Sequence, residues 1–146
     1  MDKAKVLLID DNEVIRIYFK EVFWIHGLES QYDLEVAESF DRAESLIRDP
    51  KTRPQIIFSD LVLAYRGPDG RMVTSPEAGF SLLQKIKNDP ELKNIKVIIF
   101  SGYADKAYQD KAKQMGADGY LVKADNMPED IVAFMQSMSS PATAPA

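Results

Sequence analysis

Short apolar runs alternate with longer amphipathic stretches along most of the chain. The runs at 6–9, 34–37, 56–59, 97–100 and 119–122 have strand length. Three of them are almost wholly apolar, as strands covered on both faces of a parallel sheet are. Between them, apolar positions recur at helical spacing, which predicts helices over 14–25, 42–48, 77–88, 105–115 and 129–137. Asp41 followed by Glu44 fits a capping box, and Ser75 before Pro76 fits an N-cap with a proline in the first turn. Gly27 and Gly116 stand where a left-handed residue would end a helix, and Pro128 fits another first turn. Five strands alternating with five helices require right-handed crossovers. The predicted fold is an open, doubly wound α/β sheet of flavodoxin-like (βα)5 type, with strand order 2-1-3-4-5.

One segment breaks the rhythm. Residues 61–74 are too long for an ordinary βα loop, which runs about 2–6 residues. Gly67-Pro68-Asp69-Gly70 is a strong turn signal flanked by Leu63, Tyr65, Met72 and Val73. An ordered hairpin-like projection is expected, placed to contact a partner or partly cover a pocket at the strand end.

The 146 residues suit one domain, expected over 1–138, with the Pro/Ala/Ser-rich 139–146 as a disordered tail or linker stub. The net charge of −5 argues against sequence-independent nucleic-acid binding. With no cysteine and a single histidine, His26, the chain can build no disulfide, thiolate site or multi-imidazole centre. No apolar run reaches the roughly 20 residues of a membrane span, so a cytoplasmic location is expected. Trp24, Phe19, Phe23 and Ile25 read as core or semi-buried face.

Polar residues gather where the predicted strands end. Asp10 and Asp11 follow the first strand, Asp60 the third, Ser101 the fourth and Lys123 the fifth. Parallel strands bring these ends to one edge, which is where ligands bind in an open α/β sheet. Taken singly, each has an ordinary reading: Asp10 and Asp11 as helix caps, Asp60 as a loop carboxylate, Lys123 as a surface lysine. Jointly they describe a site. Three close carboxylates repel unless a hard cation joins them, and an all-oxygen donor set suits Mg²⁺, which also takes phosphate oxygens. A lysine and a serine beside such a cation can cradle a phosphoryl group, and a carboxylate can itself accept one as an aspartyl-phosphate.

The Asp10-Asp11 pair, Asp60, Ser101-Gly102 and Gly116-Ala117-Asp118-Gly119-Tyr120-Leu121-Val122-Lys123 resemble the receiver domains of bacterial two-component response regulators. The resemblance runs from about residue 5 to 137. It implies that Asp60 is the phosphoacceptor, and that Asp10, Asp11, Asp60 and the backbone carbonyl of Val62 hold Mg²⁺. Ser101 and Lys123 would hold the phosphoryl oxygens, with Tyr120 the aromatic switch residue. It further implies a histidine kinase or histidine phosphotransfer protein as donor. Output would pass to a protein partner through the face of the fourth helix, fifth strand and fifth helix, with a homodimer possible on phosphorylation. Two departures stand out. Ala124 follows the lysine where the family usually has proline, often with a cis peptide that without proline costs about 3 kcal/mol. Leu63-Ala64 replaces the usual Met-Pro.

No turnover enzyme is expected, only self-catalysed transfer to Asp60 and slow loss. The alternative is a Mg²⁺-dependent phosphohydrolase resembling the haloacid dehalogenases. It needs an Asp two residues after the nucleophile, where Val62 and Asn12 stand after Asp60 and Asp10. A flavodoxin-like FMN carrier would need a Ser/Thr/Gly-rich loop where this chain has Asp10-Asp11-Asn12-Glu13.

Overall fold

The five apolar runs become the strands of one parallel sheet. In the computed structural model, which describes residues 3–123 and 128–139, they are β1 (Ala4–Ile9), β2 (Tyr32–Ala37), β3 (Ile56–Ser59), β6 (Lys96–Ser101) and β7 (Gly119–Val122). Their order across the sheet is β2-β1-β3-β6-β7, the expected order once two hairpin strands are counted in the numbering. Every neighbouring pair is parallel. The helices are α1 (Glu13–Ile25), α2 (Phe40–Arg48), α3 (Glu77–Asn88), α4 (Lys106–Gln114) and α5 (Pro128–Ser139).

Because side chains alternate across a strand, the sheet feeds two cores. Val6, Leu8, Phe58, Ile98 and Phe100 meet Phe19 and Phe23 of α1 and Ile131 and Met135 of α5. Leu7, Ile9, Ile57, Val97 and Ile99 meet α2, α3 and Ala112 of α4 on the other face. Phe19 is the hub of the first core, edge-on to both Phe58 and Phe100 at 5.2 Å. Such pairs add about 0.5–1.5 kcal/mol each beyond area burial. The apolar strands are therefore apolar because both of their faces are covered.

Several local readings need correction. Ser39, and not Asp41, caps α2: its hydroxyl accepts from the Arg42 amide at 3.1 Å. The helix starts two residues earlier than predicted, which lets Phe40 turn into the core. The group around Trp24 splits. Phe19 and Phe23 are buried, but Trp24 is 69% and Ile25 67% exposed, and Val14 and Ile17 are exposed with them. One stripe of α1 thus presents large apolar side chains outward. Pro76, and not Ser75, holds the N-cap position of α3, which starts at Glu77; the Ser75 hydroxyl accepts from Glu77 N at 3.3 Å from one residue further out. Gly27 and Gly116 have φ +70° and +98°, as their helix-ending positions require.

The interrupting segment is a hairpin. β4 (Leu63–Arg66) pairs antiparallel with β5 (Met72–Ser75), Leu63 opposite Ser75 and Arg66 opposite Met72. The turn closes through Gly67 N to Arg71 O at 2.8 Å and Gly70 N to Gly67 O at 3.0 Å, with Gly70 at φ +83°. Asp69 accepts from the Arg71 amide at 3.0 Å, the local bond for which Asp is favoured in turns. α5 runs through Ser139; the expected tail beyond it and the Lys123–Ala124 peptide lie outside the described residues. Among the described residues, no helix is long and apolar enough to cross a membrane.

Candidate functional site

The site lies at the carboxyl edge of the sheet. Asp10 directly follows β1 and Asp60 directly follows β3. The Asp60 amide donates to Ile9 O at 3.0 Å, so the two strand ends are locked in register. Asp10 is fully buried and Asp60 is 7% exposed, whereas Asp11 faces solvent. Neither Asp10 nor Asp11 caps α1. That work falls to Asn12, whose side chain accepts from Val14 N at 2.9 Å. Asn12 also donates its amide to Asp10 Oδ1 at 2.9 Å. The ordinary reading of the aspartate pair as helix caps therefore fails, and both carboxylates are left for other work.

Buried carboxylates cost free energy unless compensated. Here the compensation is Lys123, which follows β7. Its ammonium lies 2.7 Å from Asp10 Oδ2 and 3.0 Å from Asp60 Oδ2. Burial pushes the Asp60 carboxyl above its ordinary value, Asp10 adds to that, and the Lys123 charge opposes it. For Lys123, burial pulls downward. The hydrogen bond to Asp10 and the charges of Asp60 and Asp10 outweigh it and hold the ammonium above its usual range. Lys123 is thus firmly charged and Asp60 is poised between opposed influences.

One oxygen from each of Asp10, Asp11 and Asp60 lies within 4.8 Å of the others. Two ligands of one Mg²⁺, bound at 2.0–2.1 Å, can be at most about 4.2 Å apart. Adjacent ligands of such an octahedron stand only about 2.9 Å apart, so the three oxygens must draw in round the ion, and Asp11, exposed to solvent, is the one with room to do so. The donor set is all oxygen and the charge is negative, so the residues fit a hard divalent cation. Val62, two residues past Asp60, donates its amide to Asp60 Oδ1 at 3.3 Å and so stays beside the carboxylate.

Ser101 ends β6, fully buried, and its hydroxyl accepts from the Tyr103 amide at 3.1 Å. Its carbonyl accepts from Lys123 N at 2.8 Å, which ties the two predicted phosphate-binding residues together through backbone. The hydroxyl of Tyr120 donates to the Tyr103 carbonyl at 2.7 Å. Burial raises its phenol above the usual value. The Tyr103 ring stands edge-on to Tyr108 at 5.8 Å, and Tyr108 meets Phe80 at 6.0 Å. The loop after Ser101 is thereby joined by aromatic contacts to α4 and α3.

All the residues singled out by sequence thus fall on one edge, and Asp10, Asp11, Asp60 and Lys123 converge directly. Sequence reasoning missed Asn12, whose cap position before an apolar periodic run was a readable signal. It also missed Ser59, whose hydroxyl donates to Asp60 O at 3.0 Å, and Arg16, which donates to Asp10 O at 3.1 Å.

Residues 6–135 match the family described as the response regulator receiver domain. The chain belongs to that family. Among curated relatives, the polar-differentiation response regulator DivK of Brucella anthropi is 26% identical over 127 residues, covering 86% of this chain and 89% of DivK. Chemotaxis protein CheY4 of Vibrio cholerae superposes with a TM-score of 0.72 at 22% identity, over 93% of this chain and 98% of CheY4. The Mn²⁺-bound form of response regulator Rcp1 gives a TM-score of 0.69 at 20% identity, over 98% and 96% of the two chains. These structural likenesses establish the fold of this receiver domain. The family match and DivK establish its membership of the two-component response regulators.

Proposed function

We propose that this receiver domain is a Mg²⁺-dependent, phosphoryl-accepting switch with Asp60 as the acceptor. The observation that carries the reading is the Lys123 ammonium bridging Asp10 and Asp60, with Asp11 close enough to complete a cation site. The ordinary reading of Lys123 as a solvated surface residue does not account for an ammonium set between two buried carboxylates. The Mn²⁺-bound form of Rcp1, a protein of the same fold, supports a divalent cation here.

In the reaction an Asp60 oxygen forms a bond to phosphorus while the bond to the donor nitrogen of a phosphohistidine breaks, and the electron pair leaves with the imidazole. Asp10, Asp11, Asp60 and the Val62 carbonyl hold the cation, which when bound neutralises charge on the phosphoryl oxygens. Lys123 transfers its contact from Asp60 to a phosphoryl oxygen, and Ser101 donates its hydroxyl to another. Tyr120, released from the Tyr103 carbonyl, carries the loop movement to the face of α4, β7 and α5. Positioning and electrostatics supply the rate, since no general base is needed. The domain is a stoichiometric acceptor and not a turnover enzyme; Val62 offers no general acid for a phosphohydrolase.

The donor is a histidine kinase or histidine phosphotransfer protein acting in the cytoplasm, and output passes to a downstream protein or a homodimer. The outward apolar stripe of α1 suits a protein partner, because exposed apolar side chains grouped together mark interaction surfaces. The hairpin, rooted three residues after Asp60, supplies a second feature for recognition. The test is incubation with acetyl phosphate with and without Mg²⁺, read by intact mass. One phosphoryl group is expected, only with Mg²⁺, and none in Asp60→Asn. Equal labelling of Asp60→Asn would remove Asp60 from the reaction.

A further inference from the structure

Gly79 lies in the first turn of α3, buried, with its backbone against the backbone of Leu61. A Cβ at Gly79 would stand 2.6 Å from the Leu61 carbonyl oxygen, 2.7 Å from Leu61 Cα and 3.0 Å from its carbonyl carbon. All three are main-chain atoms, so no rotamer change can make room. Gly119 differs: a Cβ there meets the Phe134 ring, a side chain able to turn aside.

Leu61 is the link between Asp60 and Val62. The turn it occupies is fixed on its other sides as well. Asp60 N donates to Ile9 O at 3.0 Å and Ser59 Oγ to Asp60 O at 3.0 Å. Leu61 and Leu63 are fully buried in one core with Phe80, Leu82 and Leu83 of α3. The hairpin closes the far side by pairing Leu63 with Ser75. The bare face of α3 is the remaining wall.

We infer that Gly79 is a positioning residue for the metal site: by admitting α3 against Leu61, it holds the Asp60–Val62 turn where the acceptor carboxylate and the Val62 carbonyl share one cation. This rests on the Mg²⁺ reading proposed above. The size of the displacement decides the matter. Ordinary contact begins near 3.4 Å, so a methyl at Gly79 forces Leu61 or α3 aside by 3.4 − 2.6 = 0.8 Å. Functional constellations tolerate about 0.5 Å of misplacement, and Mg²⁺ demands near-ideal octahedral geometry. A larger ion with looser geometry tolerates the change better, which separates this role from general loss of packing.

The test uses the full chain, with Mg²⁺ and Ca²⁺ affinities measured by isothermal titration calorimetry. Gly79→Ala should bind Mg²⁺ at least tenfold more weakly than wild type, with a smaller loss for Ca²⁺. Ile86→Val removes a core methylene from the same helix seven residues further on, away from the Gly79 approach to Leu61, and should leave both affinities unchanged. Binding of Mg²⁺ by Gly79→Ala within twofold of wild type would overturn the inference, as would equal losses in the two variants. Should Gly79→Ala not fold, the wild-type amide spectrum decides. Added Mg²⁺ must shift the Gly79 and Phe80 resonances together with those of Leu61 and Val62, and an unmoved Gly79 overturns the inference. If wild type itself binds no Mg²⁺, the metal reading fails, which is a different result from intact binding in both proteins.

Discussion

Replacing Lys123 with Met removes a charge while keeping an unbranched apolar stem of similar length. Asp10, fully buried, and Asp60, nearly so, then lose the ammonium at 2.7 and 3.0 Å that compensates them. Breaking a buried pair by deleting one partner costs about 3–5 kcal/mol. The Lys123 side chain keeps 19% of its exposure, so water offsets part of the loss and a value near the lower end, about 3 kcal/mol, is expected at neutral pH. The pH dependence has a definite sign. Asp60, raised chiefly by burial, is raised further once Lys123 no longer opposes it. A carboxyl raised on folding favours the native state while protonated, and that support is lost as pH rises through the folded value. The deficit of Lys123→Met should therefore shrink on acidification into the carboxylate range. In wild type, Lys123 is itself raised, so its contribution is present below its ordinary value of 10.5 and is lost as pH rises through the folded value. Mg²⁺ competes with the ammonium for the same carboxylate charge, so the variant should gain more from the cation than wild type does. Tenfold tighter binding corresponds to about 1.4 kcal/mol of extra stabilisation at saturating Mg²⁺. The assay is urea unfolding followed by circular dichroism, at neutral and mildly acidic pH, with EDTA or with Mg²⁺. A variant as stable as wild type in EDTA at neutral pH would refute the assignment of Lys123 as the compensating charge.

Phosphate lifetime should be long, because Val62 and Tyr103 offer no amide or carboxylate to line up an attacking water, and the Tyr103 ring is engaged with Tyr108. The Val62→Asn, Tyr103→Glu double variant should lose phosphate about 10-fold faster, or about 1.4 kcal/mol of barrier; equal decay after donor removal would sink the idea. Far from the site, Lys87 of α3 ties the turn before β6 to the residue before β7, donating to Asp118 Oδ2 at 3.0 Å, Ile95 O at 2.7 Å and Lys93 O at 3.2 Å. Lys87→Met should cost about 2–3 kcal/mol in urea unfolding with the acetyl phosphate labelling yield unchanged; a loss below 0.5 kcal/mol would show the network to be inconsequential.

What the sequence determined by itself was the set of elements and the edge at which chemistry collects. A strand covered on both faces must be apolar along its length, so 56–59 and 97–100 are readable without knowing their neighbours. The turn at Gly67–Gly70 is equally local, since φ +83° at Gly70 needs no distant contact to be favoured. Placing Asp10, Asp60, Ser101 and Lys123 at strand ends then follows from parallel connectivity alone. The tertiary structure decided which charge answers which. Lys123 meets Asp60 across 63 positions of chain, and only the ordering of β1, β3, β6 and β7 brings the ammonium between the two buried carboxylates. It also decided that Ser39 and not Asp41 caps α2, because both residues could cap and the burial of Phe40 selects where the helix begins. The outward turn of Trp24 and Ile25 was hidden for the same reason: periodicity shows that a helix has an apolar face, but not how wide a part of it the sheet covers. Gly79 was least legible of all, since the need for a missing side chain arises from the approach of Leu61, a backbone 18 residues away in sequence, and leaves no pattern in the residues around it.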